Sequence, residues 1–231
     1  DGIAALVDHS LLVQDDGIEG EPRFRMLETI REFALERLAA SGELEATSRR
    51  HAELLLQRVE DAERRLPRPG TWWELFEADW ANLRAALGWA TDSGEAHLGL
   101  RLAAALFGFW MLRGQVSDGI GWLERLLAIA AHEPAQLRAR GLLGLGYLTW
   151  IAGDHERTAA LAAEALALSE REGDPTGAAA SRFLQGFLAE SQGRLGEARS
   201  CLGDARDRYL EIPFTVSAAS VAAHLGRVVF R

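Results

Sequence analysis

Glycine recurs at a fixed interval in the second half of this chain. Gly146, Gly186 and Gly226 are spaced by 40 residues, and so are Gly153 and Gly193. The surrounding text returns with them. Leu143 to Gly153 and Phe183 to Gly193 each lead into a helical segment with a polar start, and 221–230 matches the opening of a further copy. A more divergent copy runs from Leu102 to Gly114 and on through Ile120 to Ala130. Trp110 lies 40 residues before Trp150, and Phe230 lies 80 after it. A unit of this length is one helix pair, which cannot bury its apolar face alone, so copies must stack into a solenoid. Gly153-Asp154-His155 and Gly193-Arg194-Leu195 suit the tight turn inside a pair. Glu172-Gly173-Asp174-Pro175 suits the connection between pairs, with Gly as C-cap and Pro as helix opener. Glycine in mid-helix costs about 1 kcal/mol relative to Ala. Gly146 and Gly186 therefore call for a closely approaching neighbour helix, and the small Ala160, Ala163, Ala167, Ala198 and Ala205 point the same way.

The chain before the repeats reads differently. Ser10-Leu11-Leu12-Val13 is a short apolar run, Asp15 to Pro22 is polar and turn-like, and Arg23-Phe24-Arg25-Met26 alternates. This is the pattern of a β-hairpin. From Leu27 to Ala40 the period changes, and Leu27, Ile30, Ala34, Leu35 and Leu38 fall on one helix face. A hairpin followed by a helix fits the wing of a winged-helix domain. Leu44 to Leu66 is helical, with a stripe of Ala52, Leu55, Leu56 and Val59, and Pro67-Arg68-Pro69-Gly70 ends it. A further helix is expected over Thr71 to Thr91, with Trp73, Phe76, Trp80, Leu83 and Leu87 inward, broken by Asp92-Ser93-Gly94.

Bulk properties bound the function. The 231 residues are 48% hydrophobic and 26% charged, as in soluble globular proteins. The most apolar stretch, Leu98 to Leu112, contains Arg101 and is too short to span a membrane. No basic segment followed by an apolar one opens the chain, so no secretory signal is read. The start at Asp1 and the apolar end suggest a piece of a longer protein. An apolar face left open at that end suggests self-association. One cysteine, Cys201, precludes an internal disulfide or a cysteine zinc cluster, and a cytoplasmic location follows as the expectation. All 25 basic residues are arginine, which we read as compositional bias. The net charge of −9 argues against nucleic-acid contact through this region. Arg23 and Arg25 on the second wing strand are flanked by Asp15, Asp16, Glu19 and Glu21, which favours an intramolecular use of the wing over a DNA phosphate contact.

Catalytic patterns are missing from the sequence. The six histidines, His9, His51, His97, His132, His155 and His224, stand singly, without metal-ligand spacing. There is no nucleophile elbow and, lacking lysine, no phosphate-binding loop. Neither a cofactor nor a metal is expected in this chain. Glu43, Glu45, Glu60, Asp61 and Glu63 alternate with Arg49, Arg50, Arg64 and Arg65 as on a solvated helix face, with docking against another domain as the functional alternative. The aromatic set Trp110, Tyr147, Trp150, Phe183, Phe187 and Phe230 lies on the first helix of each pair. Core packing is the ordinary reading of such residues. A recognition surface is the functional one, because polar groups accompany them. On that reading the binding residues are Trp110, Arg113, Tyr147, Trp150, Arg182, Glu190 and His224.

Leu145-Gly146-Tyr147, Ala152-Gly153-Asp154 and the Gly186 counterpart resemble tetratricopeptide repeats in a lengthened form. Glu190 in the place of Trp150 and Arg194 in the place of Asp154 depart from the pattern. The segments Ala5 to Val13, Arg23 to Ala34, Arg49-Arg50-His51-Ala52 and Asn82 to Leu87 resemble a bacterial group of signalling ATPases of the STAND class. In that group the ATPase ends in a winged helix, then a helical bundle and a tetratricopeptide superhelix. Many are transcriptional regulators similar to actinobacterial antibiotic regulators and to LuxR-type regulators with an ATPase core. The resemblance implies an all-α, right-handed α-α superhelix preceded by the hairpin and helix of a winged-helix domain. Its parts would be residues 1–42 (winged-helix end), 43–94 (helical linker or bundle) and 95–231 (repeats at about 95–133, 134–174, 175–212 and a partial 213–231). The implied role is a non-catalytic sensor and interaction scaffold. Its partners would be an upstream nucleotide-binding domain of the same protein and a protein or small-molecule signal, with no membrane partner. The alternatives are a free-standing tetratricopeptide adaptor, or a superhelix binding a small-molecule inducer.

Overall fold

The computed structural model describes residues 2–15, 22–64 and 72–212. Its N-terminal elements are α1 (Gly2–Asp8), β1 (Val13–Asp15), β2 (Arg23–Arg25) and α2 (Glu28–Ala40). The bundle that follows is α3 (Leu44–Arg64), α4 (Trp72–Ala78) and α5 (Trp80–Asp92). Three helix pairs come next: α6 (Ala96–Arg113) with α7 (Val116–Ile129), α8 (Ala135–Ile151) with α9 (His155–Glu172), and α10 (Pro175–Ser191) with α11 (Leu195–Leu210).

The hairpin is antiparallel and pairs Val13 with Arg25 and Asp15 with Arg23. Its first strand begins at Val13 and not at Ser10, because the backbone N–H groups of Leu11 and Leu12 both turn back to the Leu6 carbonyl. Ser10 takes the left-handed conformation at φ +60° to make that reversal. On α2 the expected stripe is half covered. Ile30, Ala34 and Leu38 are partly buried, Leu27 and Leu35 are exposed, and α2 has no fully buried residue.

The bundle is better packed. Ala52, Leu55, Leu56 and Val59 of α3 are buried, as are Phe76, Leu83 and Leu87. The helix expected over Thr71 to Thr91 is two helices, with a break at Asp79. The Arg23 guanidinium explains the break: it donates to the Ala78 carbonyl at 3.0 Å and to the Asp79 carboxylate, so the last turn of α4 is capped from outside. The side chain of Trp73, expected inward, and residues 65–71 lie outside the described residues.

In the repeats the turns fall where the glycines predict, with Gly153 at φ +83° and Gly193 at φ +73°. Asp154 caps α9 by accepting from the Arg157 N–H, and Asp174 caps α10 by accepting from the Thr176 N–H, with Pro175 opening that helix. A Cβ added to Gly186 would lie 2.7 Å from Leu202 Cγ, and one added to Gly146 would lie 2.7 Å from Leu184 Cδ2. Leu184 and Leu202 are both fully buried. Burying a leucine is worth roughly 1.5–3 kcal/mol, more than the ~1 kcal/mol helix penalty of the glycine that admits it. The close approach therefore wins.

Each pair leans on the one before. Helix α8 packs on α9 and back on α6 and α7, and α10 packs on α11, α9 and α8. One apolar core runs from Ala52 on α3 to Leu148 on α8, and smaller clusters continue it through Leu168 and Tyr209. The result is an N-terminal hairpin and helix followed by an all-α region stacked as repeats. The partial repeat expected after residue 212 lies outside the described residues.

Candidate interaction surface

The repeat period places aromatic side chains in register on the first helix of each pair. Phe107 on α6, Tyr147 on α8 and Phe187 on α10 are equivalent by the 40-residue spacing, and each is partly exposed. Phe107 stacks on Tyr147 with ring centroids 5.7 Å apart and planes at 21°. Gly144 makes room for this pair, since a Cβ there would come within 3.3 Å of Phe107 Cβ. Further along, Trp150 meets Phe187 at 4.3 Å, and Phe187 stacks on Phe183 at 5.9 Å. The Trp150 indole N–H donates to Ser191 Oγ at 3.4 Å. Burial pushes the Tyr147 hydroxyl well above the ordinary tyrosine range, so it remains a neutral donor and acceptor.

The expected binding residues are distributed unevenly over this surface. Tyr147 and Trp150 belong to the aromatic row. Trp110 does not: it is fully buried, edge-on to Trp80 at 6.4 Å and covered by α7 at Gly119, where a Cβ would strike its ring at 2.7 Å. Equivalent sequence positions thus differ in surroundings, because Trp80 of α5 and Gly119 of α7 lie against Trp110, whereas Trp150 meets Phe187 of the next repeat. Glu190 is 9% exposed, packed where Trp150 stands one repeat earlier. Arg113 pairs with Glu77 of α4, and Arg182 pairs with Asp204 of α11 at 2.8 Å while donating to Gln185 at 3.3 Å. Both arginines bind helices to one another. His224 lies outside the described residues. Phe107 was missed by the sequence reading, although its 40-residue spacing from Tyr147 would have found it.

A second surface lies at the N-terminal end. Ile3, Leu6, Val13, Phe24, Leu27, Phe33 and Leu35 are exposed, Phe33 to 61%. The wing arginines turn inward or across the hairpin. Arg25 pairs with Asp15 at 3.2 Å, and Arg23 pairs with Asp79, whose carboxylate also lies 3.4 Å from Arg58. Beside them, burial lowers the His51 pKa, and the Asp79 charge opposes that shift. Among the described residues, no group of three or more His, Cys, Asp or Glu is placed to hold a metal, and no helix is long and apolar enough to cross a membrane.

Residues 1–39 match the winged helix-turn-helix domain family. Three proteins that carry the name of an HTH-type transcriptional regulator, from Mycobacterium bovis and two strains of Mycobacterium tuberculosis, are 35% identical to this chain over 190 residues. The match covers 76% of this chain and 21% of each relative, so the chain spans about a fifth of the length of the curated relatives it matches. The solved structure of BtubC (BKLC) from P. vanneervenii shares the fold, with a TM-score of 0.59 and 18% identity over 84% of this chain and 83% of that one. The chain thus joins an N-terminal winged-helix segment to a mostly α-helical region and, as one arrangement, matches bacterial HTH-type transcriptional regulators.

Proposed function

We propose that this chain is the non-catalytic sensor and interaction scaffold of a nucleotide-dependent bacterial transcription regulator. Its tetratricopeptide-like repeats receive a protein or small-molecule signal. Its winged-helix segment docks on a nucleotide-binding domain of the STAND class in the same protein. The observation that carries the reading is the partly exposed aromatic row of Phe107, Tyr147, Trp150 and Phe187. Stacked rings offer large contact area with little rotamer entropy to lose on binding, which is why they dominate recognition surfaces. The exposed apolar residues of α1, the hairpin and α2 support docking of a second domain there, since covering large exposed apolar side chains is favourable. The match of residues 1–39 to a winged helix favours this role over a free-standing adaptor, which has no use for that segment. Cytoplasmic location, no membrane partner, no direct nucleic-acid contact here and self-association through the final repeat belong to the same proposal.

The test is a transcription reporter driven by the parent regulator, carrying Trp150→Ala or Phe187→Ala. The expected result is loss of the response to signal, with helix content and the melting transition of the variant chain retained. An unchanged response in both variants refutes the recognition role and leaves the row as packing. A response lost when the upstream nucleotide-binding domain is deleted, yet intact in both variants, points to the docking role alone.

A further inference from the structure

The Asp79 carboxylate is a charge placed where water hardly reaches, with its side chain 7% exposed. A buried carboxylate is strongly unfavourable unless it is paired and hydrogen-bonded. Two guanidiniums from distant parts of the chain meet it: Arg23 from β2, and Arg58 from α3 at 3.4 Å. The same Arg23 Nη2 that meets the Asp79 carboxylate also donates to the Ala78 carbonyl at 3.0 Å, at the end of α4. Among the described residues, the rest of the winged-helix segment is lightly packed. No residue of α1 or α2 is fully buried, Phe24 next to Arg23 is 40% exposed, and Arg25 pairs across its own hairpin with Asp15.

We propose that Arg23 and Asp79 form a clasp that fixes the wing on the helical scaffold, and that this clasp has two states. In the closed state Arg23 sits between the Asp79 carboxylate and the end of α4. In the open state Arg23 leaves with the hairpin, and Asp79 keeps Arg58 as its partner. The second arginine is what makes opening feasible, because breaking a buried pair is severe chiefly when it strands an uncompensated charge. A packed apolar joint has no such intermediate, whereas a charge shared between two arginines does. The proposal goes beyond the function above and does not depend on which signal the repeats receive.

Hydrogen exchange read by mass spectrometry on the full chain tests it, with Arg23→Gln, Asp79→Asn and the double variant. Loss of a charge-assisted hydrogen bond of the usual strength raises local opening about tenfold or more. Arg23→Gln is expected to raise exchange across 23–40 by that factor while 135–210 stays as in the parent chain. Asp79→Asn should add little to 23–40 in the Arg23→Gln background. Arg58→Gln alone should leave 23–40 closed. Unchanged exchange across 23–40 in Arg23→Gln overturns the clasp. Equal and additive effects of Arg23→Gln and Asp79→Asn also overturn it, since the two residues would then act separately.

Discussion

Gly186→Ala gives the sharpest test of the stacking. In a helix interior the change gains about 1 kcal/mol from backbone propensity, so on propensity alone it stabilises. The surroundings oppose this. The new Cβ would lie 2.7 Å from Leu202 Cγ, 2.9 Å from Leu202 Cδ2 and 3.1 Å from the Leu202 backbone nitrogen. The leucine side chain is fully buried, its branch carbon cannot swing clear as a side-chain tip could, and the backbone atom cannot turn away. Helix α11 must therefore move off α10, at the overpacking cost of about 1–3 kcal/mol plus lost contacts around Leu202. The steric term exceeds the propensity gain, and the net expectation is a loss of about 1–2 kcal/mol. Gly203→Ala on α11 is the control, because a Cβ there meets nothing within 4 Å. It should gain up to ~1 kcal/mol. Urea unfolding followed by circular dichroism reads both, and the two midpoints should move in opposite directions. A Gly186→Ala midpoint that rises together with that of Gly203→Ala refutes the claim that glycine is required by the α10–α11 approach.

Three further changes probe separate parts of the fold. Thr158→Val removes a buried hydroxyl that donates to the Asp154 carbonyl at 2.8 Å and lies 3.0 Å from Thr149 Oγ1. It should cost about 1 kcal/mol in urea unfolding, and no change would mean the α8–α9 turn does not depend on this pair. Asp174→Ala removes the cap of α10 and should cost about 1 kcal/mol, whereas Asp174→Asn should be nearly neutral in the same assay. His51 has its pKa lowered in the folded chain by burial, so the folded state holds its proton less tightly than the unfolded one. Its contribution is present above the unfolded value near 6.5 and is lost as pH falls below it. A His51→Gln chain should therefore melt with less dependence on pH below about 6.5 than the parent chain, and parallel profiles would contradict this.

The repeats were legible because their signal is periodic and physical at once. Gly153, Gly173 and Gly193 mark left-handed turns, Pro175 marks a helix start, and the 40-residue register of Gly146 and Gly186 reports helix proximity. Local rules of this kind act within a few residues and survive in sequence. The break at Asp79 was not legible, because its cause is a guanidinium 56 residues away in sequence, and no pattern around Trp80 announces it. Trp110 failed for a similar reason. It has the same spacing as Trp150, but Trp80 of α5 lies against it, and α5 belongs to the bundle that precedes the repeats. Arg113 and Arg182 looked like recognition groups by type and position, yet each has a carboxylate on a neighbouring helix. Repetition in the sequence thus predicts equal backbone placement, and unequal neighbours then assign different roles to equal positions.

The two parts of the chain are held by forces that respond differently to a signal. From α3 to α11 the helices are joined chiefly by buried leucine and alanine, a non-directional attraction that does not respond to local charge. The winged-helix segment meets that body through the half-covered face of α2 on α3 and through Arg23 on Asp79. A charge-assisted hydrogen bond is directional, so a tilt at the α4–α5 junction that turns the Asp79 carboxylate away from Arg23 breaks a specific pair and leaves the leucine core intact. That junction is itself tied to the first repeat, by Glu77 to Arg113 and by Phe76 and Trp80 against Phe109. On the function proposed above, binding on the aromatic row that tilts α6 would reach Asp79 through these contacts. A rigid stack of repeats connected to the wing by a geometry-sensitive pair can convert a small movement into a change of state, which is the physical requirement for coupling between two sites.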